Sequence, residues 1–136
     1  MPETRTVTVE RNIPYPAEKI WRALTQPHLM EEWLMKNDFV SPTVGQKFSF
    51  KEEWGSIDCE VIEVEPGKSL SYKWSAFGLD SVVTFTLEQS GTGTLLRVEQ
   101  EGFPMDSHQA FRGAQMAWPG YLANLEQVLA KLGESK

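Results

Sequence analysis

The stretch SVVTFTLEQ, residues 81–89, alternates apolar and polar side chains and decides the fold. Val83, Phe85 and Leu87 point to one side of an extended chain, because successive side chains of a strand face opposite ways. Similar segments lie on both sides of it, separated by short turns that contain glycine or proline. This pattern predicts an antiparallel meander of five strands with one buried face, at about 47–54, 57–65, 69–76, 81–89 and 93–101.

The flanking sequence adds one strand and three helices. Residues 6–13 alternate like a strand, and Pro16 and Pro27 favour the first turns of two short helices. Residues 37–45 read as a loop, and Gly102-Phe103-Pro104 as a breaker. A long helix is predicted from about 106 to 132, with either a kink or a division into two abutting helices at Pro119-Gly120. Its apolar stripe consists of Trp118, Leu122, Leu125, Leu129 and Leu132.

These elements predict an α+β fold in the order β-α-α-β-β-β-β-β-α. The six-stranded antiparallel sheet has one apolar face, and the last helix has one apolar stripe. Each must cover the other, so we expect the helix to lie across a curved sheet with a cavity between them. The 136 residues suit a single domain, 1–136.

Composition excludes several classes of function. The formal net charge of -6 disfavours sequence-independent binding to nucleic acid, which requires a basic face. The same charge disfavours adhesion to anionic membranes. We expect a cytoplasmic protein, since the first residues lack the apolar core of a signal peptide and Cys59 is the only cysteine. We also expect a monomer or weak homodimer.

No arrangement of residues predicts a catalytic centre, a metal site or a cofactor. Asp106-Ser107-His108 has the residue types of a hydrolytic triad, but triad members converge from separated positions, so a helix cap is the better interpretation. His28 and His108 have no ligand partners at metal-binding spacing. The segment 91–93 lies in a turn between strands, where a phosphate-binding loop would precede a helix.

Two polar residues share the parity of the apolar face. Glu52 alternates in step with Phe48, Phe50 and Trp54, so it faces inward or lies at a cavity rim in water. An inward carboxylate would need a partner or a raised pKa. Gln100 shares parity with neighbouring apolar residues, and it is either a polar group facing a ligand or a hydrogen-bonded core amide.

Aromatic residues are the stronger functional signal, because ligand sites are apolar, concave and sparsely polar. Most of them must be core, but some are expected to line a cavity. The predicted lining residues are Phe48, Phe50, Glu52, Tyr72, Trp74, Phe85, Met116, Trp118 and Tyr121, with Trp33 near the mouth. Adaptable walls are expected from Met30, Met35, Met105 and Met116.

The run IPYPAEKIWRALTQP, residues 13–27, followed by Trp33, resembles the opening of START-like (SRPBCC) proteins. It is most similar to the branch named after the activator of heat shock protein 90 ATPase. The stretch WPGYLANL, residues 118–125, resembles the C-terminal helix of that branch. The resemblance implies a helix-grip fold, in which the sheet wraps around the long helix over a hydrophobic cavity. In that superfamily the cavity holds lipids, sterols, hormones, flavonoids or polyketide intermediates, and some members are enzymes.

Three functional hypotheses follow. The first is a binding protein for a hydrophobic or amphipathic small molecule, with Glu52 orienting its polar end. The second is a chaperone-interacting module; the similar domain of the eukaryotic co-chaperone is the second of two, so activation of the chaperone is not expected here. The third is a cyclase or hydrolase with Glu52 as base and Tyr72 as acid. A fully closed core without a cavity is a fourth possibility, with function elsewhere.

Overall fold

The computed structural model describes residues 4–53, 55–76 and 78–134 of the chain. Its strands and helices follow in this order: β1 (Thr4–Ile13), α1 (Ala17–Thr25), α2 (Pro27–Trp33), β2 (Lys36–Asn37), β3 (Lys47–Glu52), β4 (Gly55–Glu65), β5 (Ser69–Ala76), β6 (Leu79–Ser90), β7 (Gly93–Pro104) and α3 (His108–Glu134).

All strands of the described chain belong to one antiparallel sheet, in the order β1-β7-β6-β5-β4-β3-β2. The predicted α+β helix-grip architecture is confirmed. The count of six strands was wrong, because β2 lies in the segment read mainly as loop. Lys36 and Asn37 pair with Lys51 and Phe50 for two residues only, which is too short for a period-two signal.

The two faces of the sheet differ as the alternation predicts. On β6, Val83, Phe85 and Leu87 are buried, while Thr84 and Thr86 are half-exposed on the other face. We call the buried side the inner face. The apolar stripe of α3 covers it, and Trp118, Leu122, Leu125 and Leu129 are at most 1% exposed. The helix is continuous through Pro119, so the alternative of two separate helices is wrong.

Two irregular positions adjust the strands. β4 contains a bulge between Val61 and Glu63, which interrupts the alternation of buried and exposed side chains along this strand. β7 runs through Gly102 to Pro104, so the predicted breaker is wrong. Gly102 has a φ of 114°, and a shift in pairing at Arg5 and Thr6 lies opposite this segment. A glycine with positive φ bends the strand without ending its pairing.

The two short helices close one end of the molecule. α2 begins with Pro27 as predicted, and it buries Leu29, Met30 and Trp33. The indole N–H of Trp33 donates a 2.8 Å hydrogen bond to the carbonyl oxygen of Ala23, which ties α2 to α1. None of the helices in the described ranges is long and apolar enough to cross a membrane.

Two arginines of β1 contact α3 at different points along the helix. The Arg5 guanidinium lies 4.1 Å from the centre of the Phe111 ring and donates a hydrogen bond to His108 Nδ1 at 3.1 Å. Arg11 Nε donates to Glu126 Oε1 at 2.7 Å, further along the helix. The helix begins at His108 rather than at the predicted residue 106, and the Phe111 N–H donates to the Ser107 carbonyl oxygen.

Replacing Gly93 by alanine should destabilise the junction between β1 and β7. A Cβ there would overlap the carbonyl oxygen of Ile13 and lie 3.1 Å from Cα of Pro14. Both neighbours are backbone atoms, so the strands would have to separate. We expect Gly93→Ala to lower the free energy of unfolding by about 1–3 kcal/mol in urea denaturation.

Gly120→Ala is the matched control. Gly120 lies inside α3, and a Cβ there meets nothing within 4 Å. Alanine in an open helical position stabilises a helix by roughly 0.5–1 kcal/mol relative to glycine. Equal losses of stability in the two variants would contradict the close approach at Gly93.

Candidate functional site

A cavity of about 400 Å³ lies between the inner face of the sheet and the first half of α3. Its wall is mainly apolar, and Gln100 supplies the only carboxamide among the described lining residues. The lining residues are Met35, Ile57, Trp74, Ala76, Leu79, Gln100, Phe103, Ala110, Gly113, Ala114, Ala117, Trp118 and Tyr121. Within this lining Ala110 and Gly113 are exposed and Leu79 and Tyr121 are half-buried, and we call these four residues the mouth.

Small side chains on α3 create the space. Residues 110, 113, 114 and 117 are alanine or glycine, and they recur at the i, i+3, i+4, i+7 spacing of one helix face. From Trp118 onward the same helix carries large buried side chains. Protein interiors pack to crystal-like density where side chains can reach each other. The second half of α3 therefore closes the core, whereas the first half leaves a gap.

Three neighbouring aromatic rings, those of Trp74, Trp118 and Tyr121, form one part of the cavity wall. Trp118 lies at their centre, with its ring 5.6 Å from that of Trp74 and 5.6 Å from that of Tyr121. Trp118 is 1% exposed and Trp74 is 9% exposed, while Tyr121 is half-buried at the mouth. The rings are tilted at 53° and 73° to each other, so they present both faces and edges to the cavity.

A chain of hydrogen bonds fixes this wall to the sheet. The indole N–H of Trp118 donates to Gln100 Oε1 at 2.9 Å, and Gln100 Nε2 donates to Ser81 Oγ at 3.0 Å. Ser81 Oγ then donates to the carbonyl oxygen of Trp74 at 2.8 Å. An indole can only donate, so the oxygen of the Gln100 amide must face Trp118. Gln100 thus lines the cavity and is also a hydrogen-bonded core amide, which combines the two interpretations from sequence.

Glu52 lies in water near the mouth. It is exposed, at the end of the hairpin between β3 and β4, where it pairs with Gly55. Burial raises the pKa of Tyr121, and the negative charge of Glu52 raises it further. In the register of this hairpin Phe50 pairs with Ile57 of the cavity lining, and Glu52 follows Phe50 on the same face. This position agrees with the interpretation of Glu52 as a solvated group at the rim.

The predicted lining residues separate into three groups. Trp74, Trp118 and Tyr121 do line the cavity. The other aromatic residues are packed together in the core instead: Trp33, Phe48, Phe50, Tyr72 and Phe85. Met116 was predicted as a wall, but its side chain is 80% exposed.

The position of Trp33 near the mouth was also wrong, since this side chain is 1% exposed and bonded to α1. Among the methionines predicted as adaptable walls, Met35 lines the cavity. Met30 is buried in the core instead, and Met105 is 48% exposed. Trp54, which supported the parity of Glu52, lies outside the described residues.

Sequence reasoning missed the small residues of α3 and three large apolar ones, Ile57, Leu79 and Phe103. The alanine and glycine positions had a detectable signal, because their helical spacing continues the apolar stripe toward the N-terminus. Phe103 was missed because it stood in the predicted breaker. Its ring lies 5.7 Å from that of Phe111, which packs the start of α3 beside the cavity.

The acid and base of the enzymatic hypothesis lie in different surroundings. Tyr72 is 1% exposed within the aromatic core and is not among the residues that line the cavity. Burial raises its pKa well above the ordinary value, so it keeps its proton. Glu52 is exposed to solvent. Glu52 and Tyr72 therefore do not face one bound molecule as an acid–base pair.

A wider depression of about 700 Å³ lies on the opposite face of the sheet, across β1, β7, β6 and β5. Its wall includes Thr4, Thr6, Lys73, Asp80 and Glu101, all exposed. It lacks the apolar lining that stabilises a bound small molecule. We therefore place the candidate site on the inner face.

The chain is similar to several known proteins. The profile of one family, described as activator of Hsp90 ATPase homolog 1-like protein, matches residues 14–130. A solved structure from Mesorhizobium loti is 56% identical, with a TM-score of 0.90, over 93% of this chain and 98% of that chain. A protein from the dynemicin biosynthetic locus is 25% identical, with a TM-score of 0.82, over 92% of this chain and 47% of its own.

The Aha1 dimer from Colwellia psychrerythraea is 21% identical, with a TM-score of 0.78, over 92% of this chain and 96% of that chain. At this level of identity the likeness shows the fold alone. A search among curated proteins gave no match.

Breaking the hydrogen-bond chain should destabilise the fold in a coupled way. Gln100→Leu leaves the buried indole N–H of Trp118 without its acceptor, and Trp118→Phe leaves the amide oxygen without its donor. We expect each variant to lower the free energy of unfolding by about 1–3 kcal/mol. The double variant should lose less than the sum of the two, by roughly 0.5–3 kcal/mol, in a double-mutant cycle measured with urea.

Gln89→Leu is the control for this cycle, because Gln89 is exposed on β6. We expect it to change stability by no more than about 0.5 kcal/mol. Additive losses for Gln100→Leu and Trp118→Phe would contradict a direct bond between these side chains.

Stability should fall at alkaline pH because of Cys59. Burial raises the pKa of this thiol, and the charges of Asp58 and Asp38 raise it further. The unfolded thiol ionises near pH 8.5 while the folded one stays protonated, so the stabilisation is complete below about pH 8.5 and is lost as pH rises. Between about pH 8.5 and 10 the loss due to Cys59 should be about 1.5 kcal/mol.

Urea denaturation of the natural protein and of Cys59→Ala over this pH range measures the effect. Below pH 10 the tyrosines of the unfolded chain are at most half ionised, so the difference in slope between the two proteins reports mainly the thiol. Parallel slopes would show that Cys59 ionises equally in the folded and unfolded states.

Proposed function

This chain belongs to the family of activator of Hsp90 ATPase homolog 1-like proteins, and we propose that it binds an apolar or amphipathic small molecule in the cavity under α3. The observation that carries the proposal is the gap of about 400 Å³ between the sheet and the small-residue face of the helix. Ligand pockets in proteins have volumes of about 300–1,000 Å³ and walls of this composition.

The aromatic wall suits a flat apolar body. Trp74, Trp118 and Tyr121 offer large rigid surfaces whose positions are set by packing and hydrogen bonds before any ligand arrives. A preformed wall loses little conformational entropy on binding, which favours affinity. A ligand with one aromatic ring, or with two fused rings, would contact these side chains without displacing the buried residues of the core.

Gln100 supplies a polar group in this wall that can select ligands by hydrogen bonding. Its amide makes one bond to Trp118 and one to Ser81, whereas a carboxamide can donate two hydrogen bonds and accept two. One N–H and one lone pair therefore remain for a bound molecule. A carbonyl or hydroxyl group placed there would satisfy a polar group that is 4% exposed.

Two comparisons are consistent with a small-molecule role. The neighbour from the dynemicin biosynthetic locus has the same fold, and it is described as a protein of a biosynthetic locus. The cavity of the chain also agrees with the superfamily that its opening sequence resembles. Neither comparison specifies the ligand of this chain.

The hypothesis of a chaperone-interacting module rests on the description of the family, which refers to the ATPase of Hsp90. Such a role requires an exposed docking surface and makes no use of a cavity. The Colwellia neighbour is described as a dimer, and its likeness to this chain is one of fold. We favour small-molecule binding over the chaperone hypothesis because the inner face of the sheet carries a preformed cavity.

Filling the cavity should abolish binding without unfolding the protein. Ala117 lines the cavity, and Ala117→Phe would place a ring in the empty space. We expect amide NMR shifts caused by pooled apolar compounds to cluster on the inner face and on residues 110–121 in the natural protein. In Ala117→Phe the affinity for a responding compound should drop at least about tenfold, equivalent to about 1.4 kcal/mol.

Met116→Phe is the matched control, since the neighbouring side chain is 80% exposed and points away from the cavity. It should bind like the natural protein, and the amide spectra of both variants should show an intact fold. Unchanged affinity in Ala117→Phe would overturn the cavity as the binding site. The absence of shifts with every compound would overturn the proposed function itself.

A further inference from the structure

The cavity lacks any group that would neutralise an anion. None of the described residues that line it is lysine, arginine or histidine. A carboxylate or phosphate moved from water into this wall would lose its hydration without gaining a charged partner. The net charge of -6 adds a long-range repulsion against anions that approach the protein.

A carboxylate stands instead just beyond the cavity wall. Glu52 shares the inward parity of Phe48 and Phe50, and the Phe50 ring is 5.4 Å from that of Trp74 in the cavity wall. Phe50 also pairs with Ile57, which lines the cavity. Past Phe50 the strand reaches the hairpin end, where Glu52 is exposed on the same side as this wall.

This carboxylate has no cationic partner among the described side chains. The ion pairs in the described chain are Arg11 with Glu126 and Arg97 with Glu10, and neither involves Glu52. Aromatic rings next to such a carboxylate favour a cation further, because a ring face attracts positive charge. Tyr121 provides such a ring at the mouth, and the Trp118 ring lies 5.6 Å from it, deeper in the cavity.

We propose that the ligand of this cavity is a flat apolar molecule whose polar end is a cation, such as a protonated amine, held at the mouth between Glu52 and the Tyr121 ring. This inference rests on the proposed function and names the class of molecule that it binds. The apolar body lies among Trp74, Trp118 and Tyr121, and the amine stays partly hydrated beside the carboxylate. Carboxylates and phosphates of the same shape are excluded.

Three naphthalene probes of matched shape test this inference: naphthylmethylamine, naphthylmethanol and naphthoate. Dissociation constants are measured by amide NMR titration at neutral pH. We expect the amine to bind about three- to tenfold more tightly than the alcohol, as for a partly solvated ion pair beside an aromatic ring, and naphthoate to bind most weakly. In Glu52→Gln the advantage of the amine over the alcohol should fall below about twofold.

Glu63→Gln is the matched control, because it removes the same charge from an exposed position of β4, paired with Ser71. It should keep the full preference for the amine. If naphthoate binds as tightly as the amine, or if Glu52→Gln and Glu63→Gln behave alike, the charge selectivity is wrong and the cavity function stands.

If no naphthalene probe binds while other apolar compounds shift the residues of the cavity, the flat cationic ligand is wrong and the proposed function again stands. If no compound of any charge produces shifts there, both the inference and the proposed function are wrong. The Ala117→Phe variant separates the cavity from surface binding in each case, since amines attracted to the acidic surface alone would bind it unchanged.

Discussion

The packing of Trp118 against the inner face of the sheet is the contact on which the rest of the molecule depends. Its ring lies 5.6 Å from that of Trp74 and 5.9 Å from that of Phe85, and its indole N–H is bonded to Gln100. These contacts fix the middle of α3 against the sheet. On its C-terminal side leucines close the core, and on its N-terminal side alanine and glycine leave the cavity open.

The hydrogen bonds around Gln100 turn this packing into a defined geometry. Apolar side chains tolerate small shifts, whereas a buried amide between an indole N–H and a hydroxyl must keep its distances or lose its partners. The chain from Trp118 through Gln100 and Ser81 to Trp74 connects α3 with three strands. The same amide that holds the wall in place also faces the cavity, so its structural role and the binding role that we propose fall on one side chain.

Charge is distributed so that the two sides of the sheet serve different purposes. The face away from α3 carries Thr, Ser and charged side chains and is exposed to solvent. The ion pair of Arg97 with Glu10, at 2.6 Å, lies on this face. The inner face carries aromatic residues and one buried amide. Glu52 stands where the inner face reaches solvent, so parity directs a negative charge toward the cavity side of the sheet. Shape and charge would thus act separately on the ligand that we propose.

The sequence by itself determined the order of the elements, the buried face of the meander strands and the apolar stripe of α3, because periods of 2.0 and 3.6 residues assign side chains to faces. It could not separate core from cavity wall among inward residues. Phe50 and Trp74 have the same parity, yet only Trp74 lines the gap. Met116 and Ala117 are neighbours on α3, but a rotation of about 100° per residue exposes one and turns the other toward the cavity. The tertiary structure decided these points, since a cavity is the volume left over when side chains from several elements meet, and no single segment contains that sum.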